Sequence, residues 1–238
     1  MWLASLFGSD GASRWGGDDP AETAKRFERL RHAMVERQIA ARGIRDPRVL
    51  AAMRSVPRHE FVPASVRGAA YDDRPLPIGY EQTISQPYIV ALMSESLDLR
   101  GEESVLEVGT GSGYQAAVLC ELAQRVYTIE IIPELGKRAR TDLERLGYDN
   151  VSVRIGDGYR GWPDAAPFDA IMVTASPEHV PEPLLEQLKP GGRLVLPVGA
   201  HRQVLLRITR GERGFESDTL AAVRFVPMTG EARQGGER

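Results

Sequence analysis

Val105-Leu106-Glu107-Val108-Gly109-Thr110-Gly111-Ser112-Gly113 is an apolar run that ends in three glycines spaced two apart. Its first four residues read as a short strand. Glycines directly after a strand let the backbone turn tightly and let a ligand approach it closely. Residues 114–123 then read as a helix, whose unpaired N–H groups point back at the loop. Two familiar loops do not fit. A dinucleotide fold wants G-x-G-x-x-G, and Tyr114 stands where its last glycine would be. A phosphate loop wants a lysine after its final glycine, and none follows here.

Downstream the strand–helix rhythm continues. Residues 125–130 read as a strand, 133–146 as a helix closed by Gly147, and 151–155 and 168–174 as strands. A helix over 183–188, ended by Pro190-Gly191-Gly192, precedes strands at 193–198, 204–209 and 220–227. This alternation predicts an α/β fold with right-handed crossovers and a doubly wound, mostly parallel sheet. Ligands bind such sheets at the carboxyl ends of strands, where strand order reverses. Two further strand ends carry acids. Glu130 could accept both ribose hydroxyls of a nucleoside, and Asp157, between Gly156 and Gly158, could accept the exocyclic amine of adenine. A solvated strand-end carboxylate and an ordinary turn are the plainer readings of the two. An acid followed by G-x-G-x-G is also the pattern of Rossmann-like methyltransferases, and the three strand ends together favour that reading.

Upstream, Asp19-Pro20-Ala21-Glu22 has the form of a capped helix start, with Phe27, Leu30 and Met34 at helical spacing. Asp46-Pro47 repeats the signal for a helix carrying Val49, Leu50 and Met53, ended by Pro57. Residues 57–86 are too rich in proline and glycine for one long element, and a third helix is expected from Pro87 to Leu97. Residues 20–100 therefore read as a helical cap on a core at 101–238, the two forming one domain. Residues 1–19, rich in Gly, Asp and Ser, read as a disordered tail.

The 238 residues are 42% hydrophobic and 26% charged, with a formal net charge of −3. No basic run offers a footprint for nucleic acid, and no apolar run approaches a membrane span. The single cysteine, Cys120, sits in an apolar stretch and is expected in the core, so nothing calls for an oxidising compartment. The start lacks a charged leader, which makes the cytoplasm the expected location.

Several segments carry a closer resemblance. Pro75-Leu76-Pro77-Ile78-Gly79 followed by Gln82-Thr83-Ile84-Ser85-Gln86-Pro87 is similar to the signature segment of the protein-L-isoaspartate O-methyltransferases. The glycine loop through Ala116, the run Phe168 to Ala175, Gly191 to Gly199, Phe225-Val226-Pro227-Met228-Thr229-Gly230 and the upstream Val56-Pro57-Arg58-His59 follow in that family's order. The resemblance covers roughly residues 27–234. It implies a Rossmann-like methyltransferase that uses S-adenosylmethionine (SAM) to methylate the free α-carboxylate of L-isoaspartyl residues in damaged proteins and peptides. The ester then cyclises to a succinimide, whose hydrolysis partly restores aspartate. The resemblance makes Ser85 the active-site hydroxyl and has Thr83 and Ile84 wall the pocket. It adds Thr229 and Gln234 on the cofactor side to Glu107, Gly109, Gly111, Gly113, Glu130, Asp157 and Gly158. At Glu81 the chain departs from the family, which often has glycine there. A left-handed glutamate would cost about 1 kcal/mol, so a slightly different local turn is expected.

A carboxylate acceptor is already ionised at neutral pH and needs no general base. The four histidines, His32, His59, His179 and His201, are scattered, and none stands beside Ser85 in the sequence. No metal is called for. Ser85 is expected to hold the acceptor by hydrogen bonding, although it could instead, or as well, cap the helix that starts at Pro87. A related enzyme acting on an ordinary acid of a dedicated partner is the alternative. A monomer is expected.

Overall fold

The structure, a computed structural model, describes residues 19–233. Residues 1–18 of the expected tail, and Gln234, lie outside the described residues. Helix α1 (Pro20–Met34) starts where the Asp-Pro signal places it, with Asp19 Oδ1 accepting from the Ala21 N–H at 3.0 Å. Glu22 faces Lys25 (3.6 Å) instead of closing a capping box. Phe27 and Met34 are buried, while Leu30 is exposed. The chain continues as a π-helical turn, Val35–Ile39, before α2 (Pro47–Ser55). There Asp46 caps the helix through the Arg48 N–H (2.8 Å). Helix α3 spans Pro87–Ser96.

The stretch at 57–86 holds more order than its composition suggests. Two 3₁₀ segments, Arg58–Phe61 and Ala64–Ala69, lead into a hairpin of β1 (Leu76–Gly79) and β2 (Gln82–Ile84). Pro77 faces Thr83 across it, and Tyr80 and Glu81 form the turn, at φ 54° and 59°. The expected change of turn does not occur. Both central residues stay left-handed, because a two-residue turn of this hand matches the twist of the strands it joins.

The main sheet has seven strands in the order β5-β4-β3-β6-β7-β8-β9. They are β3 (Ser104–Val108), β4 (Arg125–Glu130), β5 (Val151–Ile155), β6 (Phe168–Val173), β7 (Leu188–Val198), β8 (Gln203–Gly211) and β9 (Gly214–Val223). The first five in that order are mutually parallel, and β8 and β9 add antiparallel. Helices α4 (Tyr114–Cys120), α5 (Pro133–Arg145) and α6 (Glu182–Glu186) make the crossovers. Helix α4 ends at Cys120 instead of 123, and two strand boundaries differ more from the sequence reading. Strand β7 already begins at Leu188, ahead of Pro190-Gly191-Gly192, and the ladder absorbs these residues as a bulge where pairing jumps from Phe168↔Leu188 to Ala170↔Arg193. A bulge is a place where a proline without an N–H is tolerated in a sheet. The last strand lies at 214–223 instead of 220–227, because it closes a tight hairpin with β8 at Gly211↔Gly214. The chain then leaves the sheet, and Pro227 forms a bridge with Ser176.

Strand β3 lies between β4 and β6, at the point where strand order reverses. Alternation along it separates two cores. Val105 joins a cluster with the cap residues Phe61, Met93 and Leu97, whereas Leu106 and Val108 pack with Ile171, Leu184 and Leu194. The cap shares its apolar core with the sheet. Arg48 also bonds the Leu99 and Leu122 carbonyls, each at 2.9 Å. Cys120 is buried and free, and burial pushes its thiol pKa up.

Candidate active site

The loop after β3, the ends of β4 and β6 and the turn after β5 open into one cleft with β2 and residues 226–229. Gly109 turns at φ 100°, and a side chain added there would run into Thr174. Gly158 is packed on Val108 in the same way. Bare backbone therefore forms this part of the cleft wall.

Glu130, 5% exposed at the end of β4, lines the cleft. Its Oε2 accepts from the Gly111 N–H (2.7 Å) and its Oε1 from the Ile132 N–H (2.9 Å). Each carboxylate oxygen keeps a further lone pair for a hydroxyl donor. Asp157 lines the cleft beside Gly158. Its Oδ1 accepts from the Tyr159 N–H (2.9 Å) and its Oδ2 from the Glu231 N–H (2.7 Å), which ties the C-terminal segment to the sheet. On the opposite side Gln82, Thr83, Ile84 and Ser85 form the wall, and Met228 and Thr229 contribute from the C-terminal segment. The cleft thus brings together Thr83, Ile84, Ser85, Gly109, Gly111, Glu130, Asp157, Gly158 and Thr229 from the sequence reading.

Two expected cofactor contacts stand elsewhere. Glu107 does not line the cleft: strand alternation turns it toward the cap side, where it is fully buried. Thr128 Oγ1 lies 2.5 Å from its Oε2 and 2.6 Å from Thr110 Oγ1, so Glu107 braces the loop from behind. Burial, reinforced by the charge of Glu130, pushes this carboxyl up to about 8 against the hydrogen bond from Thr128, and it stays protonated at neutral pH. Gly113 also lies off the cleft. It starts α4 at φ 88° and packs on Ala139. Ser85 does not cap α3, because Gln86 occupies the N-cap position without a side-chain cap bond.

Other residues in the wall had no clear signal in the sequence. Ile131 and Ile132 follow Glu130 as an apolar shelf, and only their position just past an acidic strand end could have marked them. Gln115 and Tyr114 come from the first turn of α4, within the quoted glycine segment. Among the described residues no histidine lines the cleft. The acceptors of Glu130 and Asp157 and the bare backbone of the glycine loop suit an adenosine-bearing ligand, and Ser85 lines the same cleft.

Comparison with known proteins agrees with this geometry. The model of the protein-L-isoaspartate(D-aspartate) O-methyltransferase family matches residues 29–233. A protein-L-isoaspartate O-methyltransferase of Picosynechococcus sp. is 56% identical over 203 residues, 85% of this chain and 91% of that one. Protein-L-isoaspartate O-methyltransferase 2 of Shewanella sediminis is 54% identical over 222 residues, 92% of this chain and 91% of that one. A solved protein-L-isoaspartate O-methyltransferase superposes with a TM-score of 0.76 at 31% identity, covering 87% of this chain and 67% of its own. A Plasmodium falciparum structure described as such an enzyme in complex with S-adenosyl-L-homocysteine superposes with a TM-score of 0.73 at 26% identity, covering 84% and 98%. On the family match and the extent of these identities, the chain belongs to the protein-L-isoaspartate(D-aspartate) O-methyltransferase family.

Proposed function

We propose that this cleft transfers a methyl group from SAM to the free α-carboxylate of L-isoaspartyl residues in damaged proteins and peptides, starting their return to aspartate. The observation that carries the reading is the meeting of Ser85 with Glu130 and Asp157 in one cleft at the switch point of the sheet. Glu130 would hold the ribose hydroxyls, Asp157 the adenine amine, and Gly109, Gly111 and Gly158 the close backbone approach. Met228 and Thr229 close the C-terminal side, and Gln234 belongs to that side in this reading. The cap (20–100) and the core (101–238) act as one domain.

When bound, SAM supplies an electrophilic methyl group on a sulfonium, whose departure needs no proton. The residues of the chain then have one task, orientation. Ser85 donates its hydroxyl hydrogen to one oxygen of the acceptor carboxylate and leaves the other free to meet the methyl carbon. Thr83 and Ile84 exclude water from that side. Holding two reactants in line can supply several kcal/mol of the barrier reduction. The absence of histidine from the wall, among the described residues, fits an acceptor that arrives already deprotonated. The reading includes a monomer acting in the cytoplasm on isoaspartyl-bearing chains, without nucleic acid or membrane.

The product tests the reaction class. A carboxyl methyl ester releases methanol in mild alkali, whereas a methylated amine or hydroxyl does not. Labelled methyl that stays on the peptide through alkaline treatment would contradict the reading.

A further inference from the structure

Arg58 is 0% exposed, in the first 3₁₀ segment of the cap. Its Nε donates to the Ala70 carbonyl and its Nη2 to the Ser85 carbonyl, each at 2.7 Å. Its guanidinium carbon lies 4.8 Å from the ring centre of Tyr114, the first residue of α4. One side chain therefore connects the cap, the segment that carries Ser85 and the helix that follows the glycine loop.

The charge on this side chain is not balanced locally. Arginine is almost never fully buried without a paired anion, yet both described bonds go to neutral carbonyls, and Nη1 is buried without a partner. Burial lowers the guanidinium pKa only to about 10, so it remains a cation through the neutral range. Arg31 and Arg67 also have buried Nε atoms without partners. His59 is held below its ordinary value by burial first and, against the pull of Glu60, by these two arginines as well. Glu60 itself pairs with Arg145 at 2.9 Å. Behind Ser85 the buried Arg58 guanidinium thus has no carboxylate partner among the described residues. A substrate carboxylate placed against Ser85 would supply one.

We propose that Arg58 is a positioning residue for methyl transfer: through the Ser85 carbonyl it fixes the acceptor-side backbone, and its unbalanced charge favours an anionic acceptor over a neutral one. It acts through Ser85 and through its field, without contact to the reacting atoms. The inference rests on the reading above, in which Ser85 faces a carboxylate. At an effective dielectric near 20, a cation one residue removed from the acceptor should favour the anion by on the order of tenfold in affinity.

The test uses the full chain and two peptides, one with isoaspartate and one with its α-carboxylate replaced by a carboxamide; affinities are measured with S-adenosyl-L-homocysteine present and kcat with SAM. Arg58→Met should weaken the carboxylate peptide about tenfold relative to the carboxamide peptide. Arg58→Lys should keep the preference for the carboxylate but lower kcat about tenfold, because one ammonium cannot span both carbonyls. Equal losses for the two peptides in Arg58→Met would reduce Arg58 to a scaffold and overturn the proposal. If Arg58→Met gives no cooperative melt, Arg58→Lys decides alone, and a wild-type kcat there overturns it. Wild-type enzyme is run in parallel: failure to methylate the isoaspartyl peptide would defeat the functional reading itself, whereas turnover with unselective variants would defeat only the role of Arg58.

Discussion

Ser85 has only a hydroxyl to offer, and holding the acceptor carboxylate asks only a hydroxyl's work of it. Ser85→Ala should lower kcat/KM for an isoaspartyl peptide by about 10- to 100-fold, the loss of one hydrogen bond to a charged group. Binding of S-adenosyl-L-homocysteine, measured by calorimetry, should change much less, and equal losses in both would place Ser85 in the cofactor wall. Glu130 carries the opposite expectation. Glu130→Ala should weaken SAM binding by about 1.5–3 kcal/mol, with part of the loss coming from release of the Gly111 N–H it now holds. Unchanged affinity would remove it from the site. Glu107 is a test of stability, because its carboxyl is neutral in the fold and ionised in the unfolded chain between its ordinary 4.5 and about 8. Its stabilising effect is complete below 4.5 and is lost as pH rises through about 8. Glu107→Gln should therefore gain on the wild type as pH rises across this window, by at most about 1.4 kcal/mol per pH unit. Melting curves at several pH values give the difference, and a constant offset would mean that Glu107 is buried ionised.

Among the elements, legibility followed the locality of the signal. Helices α1 and α2 were readable because Asp19-Pro20 and Asp46-Pro47 are local caps, and the structure places both cap bonds there. The β1–β2 hairpin was not readable, because its turn lacks the Asn-Gly or Asp-Gly pair that normally marks this geometry. Tyr80 and Glu81 hold left-handed φ values against their own preference, at about 1 kcal/mol or more each. Glu81→Gly should therefore raise stability by roughly 0.5–1 kcal/mol, read from denaturant midpoints, since relief of the strain exceeds the added freedom of the unfolded chain. A loss of stability would show that the Glu81 side chain does something more than turn. The ends of β7 and β9 were misplaced for a related reason. A ladder partner elsewhere in the chain sets where each starts, and neither Pro190-Gly191-Gly192 nor the apolar run at 220–227 reveals that partner.

At the scale of the whole molecule, the parallel sheet and its switch point could be read from strand–helix alternation alone, and the strand-end acids Glu130 and Asp157 fall in the cleft as read. Glu107 lies off the cleft, because a motif gives sequence order but not the face on which a strand residue emerges. The role proposed for Arg58 was out of reach, since it depends on contacts 12 and 27 residues away. With no histidine in the cleft wall among the described residues, kcat/KM should stay level from about pH 6 to 8.5, because an acceptor carboxylate has lost its proton well below that range. A limb near pH 7 in initial rates at subsaturating peptide would point to an acceptor that must be deprotonated. The most direct measurement compares two peptides of identical sequence, one linked through isoaspartate and one through ordinary aspartate, as acceptors of labelled methyl from SAM. Base-labile methyl ester is expected on the isoaspartyl peptide, with little or none on its aspartyl twin. Equal labelling of the two, or labelling of the aspartyl peptide alone, would contradict it.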